Sequence, residues 1–162
     1  MTQGSGLRPE PTKTICDRNH GHRVSFLSWI YLVLLIQEDP LIDELYDLIG
    51  GSSTIRAATE SFYDKVLADE SLRHFFRRTD MAHLRALQSM FISMLLGGRV
   101  VYTGKDIHAA HEWARNHGLH DTHFDMFLKH FRAALEEVGV KAEKADKVIE
   151  LLESRRNAVL NP

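Results

Sequence analysis

The chain has 162 residues, 44% of them hydrophobic, with 20 basic side chains against 22 acidic ones. That length supports one domain with a substantial core, and the near-balanced charge gives no field that favours nucleic acid or acidic partners. A single cysteine, Cys16, excludes an internal disulfide and fits a reducing compartment, so the expected location is the cytoplasm.

Residues 1–23 are polar, carry Gly4, Gly6, Pro9 and Pro11, and show neither a helical nor a strand period, which reads as a disordered head. The thirteen residues 24–36 are uncharged and strongly apolar, preceded by Arg8, Lys13, Arg18 and Arg23 and followed by Glu38-Asp39-Pro40. A bilayer span needs about 20 apolar residues, so this run is short for a transmembrane helix. No small-residue cleavage site follows it, as a signal peptide would require. Three readings stay open: an interfacial membrane anchor, a helix packed on the domain, or upstream sequence included by a misplaced start codon. Membrane association through residues 24–36 therefore stands beside a purely cytoplasmic location.

From Leu41 the pattern is helical throughout, and 41–162 is expected to be the folded domain. Ser52 or Ser53 is placed to N-cap a helix to about Ala68, with Ile55, Ala58, Phe62 and Val66 on one stripe. A short turn of helix covers Ser71 to Phe76. Thr79 is the expected cap of a helix reaching about Leu96, where Met81, Leu84, Gln88, Phe91 and Leu95 recur near the helical period and Gly97-Gly98 ends it. A loop through Tyr102-Thr103-Gly104 leads to a short helix around His111, ending near Asn116 before Gly118. Thr122 with Asp125 resembles a capping box for a helix carrying Phe124, Phe127, Leu128, Phe131, Leu135 and Val138. Gly139 breaks it, and a last helix spans about 141–157. No strand alternation and no internal repeat is visible, so the fold class is all-α.

Chemistry concentrates around His111. Phe62-Tyr63, Phe75-Phe76 and Leu84-x-x-x-Gln88-x-x-Phe91 supply aromatic walls and two hydrogen-bonding groups. An imidazole facing such a set could hold an iron porphyrin and a small gas molecule. Gln88 is the more telling polar residue, because an amide on an apolar stripe is costly to bury unless something accepts from it. No Cys-x-x-Cys-His is present, so haem cannot be attached through paired thioethers. Seven of the ten histidines lie between His83 and His130, and His117, His120 and His123 recur every three residues, a spacing that suits zinc. Gly118 and the capping signal at Thr122 interrupt any helix there, so those rings need not share a face. Arg115 stands where a zincin motif beginning at His111-Glu112 would need its second histidine.

These residues resemble a known family. Leu45-Tyr46-x-x-Ile49-Gly50-Gly51, Phe62-Tyr63-x-x-Val66-Leu67, His74-Phe75-Phe76, Thr79-Asp80-Met81, Gly97-Gly98, Tyr102-x-Gly104, Ala110-His111 and Asn116-His117-Gly118-Leu119 occur in order. Together they are similar to the truncated haemoglobins of group I, over nearly all of residues 41–162 and none of residues 1–40. The resemblance implies a globin-like two-over-two helical sandwich, with the first helix cut to a stub around 41–48 and an extra N-terminal segment ahead of it. It also implies haem b held between the E and F helices of the globin fold. His111 then falls at the proximal iron ligand, Phe76 at the aromatic against the porphyrin face, and Tyr63 at the distal tyrosine. Leu84 and Gln88 fall on the distal helix, with Phe91 on the same stripe as a further haem contact.

A phenol and an amide over the iron would donate to oxygen, onto which negative charge shifts when it binds ferrous iron, by the logic of an oxyanion hole. Leu84 and Leu87 cannot ligate iron, whereas some relatives carry a histidine at the latter place; the sixth position is expected to be open. His83 lies one step off the stripe and is expected to face solvent. Some relatives bond the haem vinyl through a C-terminal histidine; Arg155 occupies that place here, so the haem is expected to be non-covalent. Arg85, Arg99 and Lys105 are the candidate propionate partners. The function expected is reversible binding of oxygen, and of NO and CO, with nitric oxide dioxygenation if an external reductase supplies electrons, since the chain offers no flavin or nicotinamide motif. The alternatives are a haem-based gas sensor and a membrane-associated helical interaction module; a peroxidase lacks the distal base and charged helper it would want.

Overall fold

The structure is a computed structural model that describes residues 45–161. The expected disordered head, the apolar run at 24–36 and the 41–44 part of the stub lie outside the described residues. Within them the chain is helical, with no strand. Residues 45–48 are helical; α1 is Gly51–Ala68, a 3-10 turn covers Arg73–Phe76, α2 is Met81–Leu95, α3 is Ile107–Asn116, α4 is Asp121–Glu137, α5 is Ala142–Glu153 and α6 is Arg156–Leu160.

Helix α1 packs against both α2 and α4, α4 against α5, and α3 against α6. Two helix pairs, α1 with α2 and α4 with α5, thus meet through α1 and α4, the two-over-two arrangement expected. The seam is apolar because the period of these helices makes it so: Ile55, Ala58, Phe62 and Val66 of α1 face Phe131, Ala134 and Leu135 of α4, with Ile92 of α2 and Val148 of α5 completing a buried core. Each large side chain so buried contributes roughly 1.5–3 kcal/mol.

The helix ends differ from expectation in three places. Gly50, not Ser52 or Ser53, caps α1, with φ 103°, and a Cβ there would collide with the Thr54 hydroxyl. A left-handed start suits glycine alone, and it sets the serines inside the first turn, where Ser53 Oγ donates to the Gly50 carbonyl at 3.3 Å. Asp80 rather than Thr79 caps α2, accepting from the His83 amide at 3.1 Å. Helix α4 begins after His120, whose amide donates to His123 Nδ1 at 3.4 Å, instead of at the Thr122-Asp125 pair. The expected last helix is also two: α5 stops at Glu153 and α6 resumes at Arg156. Arg156 causes the break. Its guanidinium binds Glu153 at 2.8 Å and Asp121 at 3.1 Å, reaches Asp125, and lies 4.6 Å from the centre of the Phe124 ring. Tertiary contact to the start of α4 therefore outweighs helical continuity.

The two glycine stops act as expected. Gly97 takes φ 88° and Gly98 donates to the Ser93 carbonyl at 2.8 Å, while the Tyr46 amide donates to the Leu96 carbonyl at 3.0 Å. The short helical stub is thereby tied to the end of α2.

Candidate functional site

A cavity of about 860 Å³ opens between α1, α2, α3 and α4. The size falls in the range of cofactor pockets, roughly 300–1,000 Å³. Tyr63, Phe76, Leu84, Gln88, Phe91 and His111 all line it, so the fold brings together the six residues singled out in the sequence.

His111 is half-buried in α3, and its Nδ1 lies 2.7 Å from the Ile107 carbonyl. A carbonyl only accepts, so Nδ1 carries the proton and Nε2 keeps its lone pair. Burial holds the ring's proton affinity below the usual histidine value; the bond to Ile107 opposes that, and the nearby Arg115 charge adds to it. The group is a neutral imidazole with one nitrogen committed and the other free to bind a metal.

Tyr63 is 4% exposed, and its ring is fixed edge-on against Phe62 and Phe76 at centroid distances of 4.8 and 5.8 Å. Burial pushes the phenol well above its ordinary range, against the opposing pull of Arg85, whose guanidinium lies 5.9 Å from the ring. Tyr63 therefore stays a protonated donor. Among the described residues no fully buried side-chain nitrogen or oxygen lacks a partner, and neither the Tyr63 hydroxyl nor the Gln88 amide has a hydrogen-bond partner among those same residues. Both groups accordingly open onto the cavity.

The walls fit an iron porphyrin. Among the described residues no carboxylate lines the cavity, apolar and aromatic side chains dominate it, and Arg78, Lys105 and Arg155 stand on it without an ion-pair partner. That is the surface a flat apolar group with an anionic edge requires. Helix α3 has no buried residue at all, although Ile107, Ala110 and Ala114 of one face turn to the cavity. An amphipathic helix with its apolar face on empty space is one whose partner is a bound group.

Not every expectation is met. Arg85 is committed to Glu60 and, at 2.8 Å, to Asp64, and neither it nor Arg99 lines the cavity; Lys105 does. A carboxylate pair on α1 draws Arg85 away, a pairing visible only once α1 and α2 are docked. Arg78 and Arg155 line the cavity as well, although sequence reasoning did not place them among its basic candidates. His83 is exposed as expected but sits on the cavity rim. Phe124, Phe127 and Phe131 of α4 also reach the cavity, although their spacing marked them only as core. His117 stacks on Trp113 at 4.0 Å, apart from His120 and His123, and no group of three or more histidine, cysteine or acidic side chains among the described residues is placed to hold a metal ion. No helix among the described residues is long and apolar enough to cross a membrane.

The chain matches the bacterial-like globin family over residues 44–161. It is 38% identical over 116 residues to a group 1 truncated hemoglobin of Tetrahymena pyriformis, covering 72% of this chain and 93% of that protein. The group 1 truncated hemoglobin GlbN of Synechocystis sp. is 40% identical over 97 residues, 59% of this chain and 78% of that one. Among solved structures, the Tetrahymena pyriformis truncated hemoglobin in its Fe(III) form superposes with a TM-score of 0.68 at 37% identity, covering 73% of this chain and 98% of that one. The 2/2 hemoglobin of Synechococcus sp., in the cyanomet state and with covalently attached heme, gives 0.69 at 37% identity with the same coverage.

Proposed function

The chain belongs to the bacterial-like globin family, alongside the group 1 truncated haemoglobins, and from that premise we propose that it is a haem b protein that binds oxygen reversibly and takes NO and CO at the same site. One observation carries the reading: one apolar cavity receives a neutral imidazole from α3 and, from α1 and α2, a phenol and an amide that have no hydrogen-bond partner among the described residues.

Haem, when bound, supplies the iron that takes up a diatomic gas. The residues supply everything else. His111 offers Nε2 to the metal while Ile107 holds its ring. Phe76, Leu84 and Phe91 present apolar surface and exclude water. Tyr63 and Gln88 would hold hydrogen-bond donors toward a gas in the cavity, in an apolar site where such bonds are strong. Leu84 and Leu87 carry no atom that could ligate a metal, so the α2 wall would leave room for the gas. Arg78, Lys105 and Arg155 answer the acidic edge of the cofactor. Arg155 has no nucleophilic nitrogen to alkylate, in line with haem that dissociates.

Dioxygenation of nitric oxide, NO + O2 + e− → NO3−, is the enzymatic extension. It draws one electron per turnover from a donor outside the described fold, so an external reductase is part of the proposal. Nitrate formed per oxygenated protein consumed, with and without a reductase, separates dioxygenase from carrier or sensor.

The decisive measurement is the absorption spectrum of the purified protein as isolated, reduced with dithionite and under CO. A Soret band, five-coordinate when reduced, is expected. Protein without a Soret band after haem reconstitution refutes the reading in favour of a helical interaction module.

A further inference from the structure

The loop between α2 and α3 carries the proximal helix, yet it is almost without internal support. From Val101 to Lys105 no backbone group pairs with another backbone group among the described residues. Helix α3 contributes no buried side chain to hold itself in place. Its far end is anchored, since Arg115 donates to the Val159 carbonyl of α6 at 3.0 Å. Its near end, one turn before His111, is tied back to α2 by one residue of the loop.

That residue is Tyr102. Its hydroxyl donates to the Lys105 carbonyl at 2.9 Å, drawing 102–105 into a tight turn that ends directly before Asp106. Asp106 in turn caps α3 by accepting from the Ala109 amide at 2.9 Å. The phenol ring lies so close over the turn that a Cβ at Gly104 would collide with it; the glycine is needed for contact, not for backbone conformation. The same ring meets Phe91 of α2 edge-on at 5.5 Å. Tyr102 thus joins three things: the start of α3, the turn before it, and the α2 stripe that carries Gln88.

Resting on the haem reading above, we infer that Tyr102 is a positioning residue for the proximal imidazole, clamping the start of α3 against Phe91 so that His111 is held at a fixed height beneath the cavity. Ile107, whose carbonyl orients His111, is the first residue of α3 and follows the clamp by two positions. A shift of the turn moves that carbonyl and with it the ring. The clamp also ties the proximal ligand to the distal wall through one aromatic contact.

The test compares haem-loaded Tyr102→Phe, Tyr102→Leu and Gly104→Ala with the wild-type protein, and uses Val101→Ala as a control, because that side chain is exposed on the same loop. Two readouts follow the proximal ligand: haem transfer to a scavenging apoglobin, and the iron–histidine stretching band of the reduced protein by resonance Raman. Removing one hydroxyl is expected to speed haem loss about fivefold and to shift or broaden the band. Tyr102→Leu and Gly104→Ala, which both remove the ring from its seat, are expected to exceed Tyr102→Phe and to resemble one another. Val101→Ala leaves both readouts unchanged. Haem loss and band unaltered in Tyr102→Phe and Gly104→Ala overturn the inference, as does a lowered melting temperature with both haem readouts untouched. Wild-type protein without a Soret band overturns the haem reading itself, a separate result.

Discussion

The Nδ1 proton of His111 goes to the Ile107 carbonyl, 2.7 Å away and one turn earlier in the same helix. This bond decides which nitrogen can serve a metal, and it uses no residue outside α3. The His111→Gly protein is therefore expected to lose histidine-ligated iron bands while keeping its helices, and added imidazole is expected to restore them by occupying the vacated space. Absorption spectroscopy with circular dichroism checks this; unaltered coordination in His111→Gly would place the ligand elsewhere.

Tyr63 and Gln88 are the two donors, and a hydrogen bond to a charged group is worth about 1.5–3 kcal/mol. Tyr63→Phe is expected to speed oxygen release at least fivefold, and Gln88→Leu to act in the same direction. The double variant should fall short of the product of the two, because both donors serve one small acceptor. Stopped-flow oxygen dissociation measures all three, and an unchanged rate in Tyr63→Phe removes that phenol from the cap.

Leu87 lines the cavity on α2 beside Leu84 and Gln88. Placing an imidazole there, as Leu87→His, is expected to convert the reduced protein from five- to six-coordinate and to slow CO binding. The reduced spectrum of the wild-type protein is the reference. If that is already six-coordinate, a side chain other than either leucine fills the site.

Gly98 makes a steric demand rather than a conformational one. A Cβ there would stand 2.7 Å from both the Ser93 carbonyl oxygen and the Tyr46 ring. Gly98→Ala should cost about 1–3 kcal/mol through overpacking. A Cβ at Gly118 would meet open space, although at its φ of 90° any side chain would be strained. Thermal melting that leaves Gly98→Ala at the wild-type midpoint would show that the stub of residues 45–48 yields freely.

Acid stability has two windows. His123 lies 3.9 Å from His120 and 6.2 Å from His74, ring centre to ring centre, and burial followed by these like charges lowers its proton affinity, with Asp69 opposing. A folded pKa below the unfolded value of about 6.5 means stability is full above that pH and declines as pH falls through it. Asp69 accepts from His130 at 2.8 Å and from Ser71, and these bonds hold its carboxyl at about 2 against 3.8. Its contribution, on the order of 1–2 kcal/mol, is present above pH 4 and disappears as pH falls toward 2. His123→Phe is expected to flatten the loss that sets in below about pH 6.5. Asp69→Asn is expected to lower stability at neutral pH and flatten the loss below about pH 4. Chemical denaturation across pH separates the two.

Much of this was legible before any coordinates. The sequence located five helices, the last of them one where the structure has two, and the company of His111 pointed to residues that the fold gathers on one cavity. What escaped was whatever depends on a partner distant in sequence. Thr79 and Asp80 are both good caps, and only the position of the His83 amide chooses between them. Arg156 splits the last helix because Asp121 and Asp125 lie across from it, and Arg85 leaves the cavity because Glu60 and Asp64 claim it. Arg78 and Arg155 gave no local signal, since an arginine beside a helix end reads as solvated until the cavity is seen behind it.

Helix α3, without a single buried side chain, borrows its order from whatever rests against it. Without the bound group proposed above, α3 is expected to be cut by a protease before the core helices α1 and α4, a difference that limited proteolysis with and without haem reads.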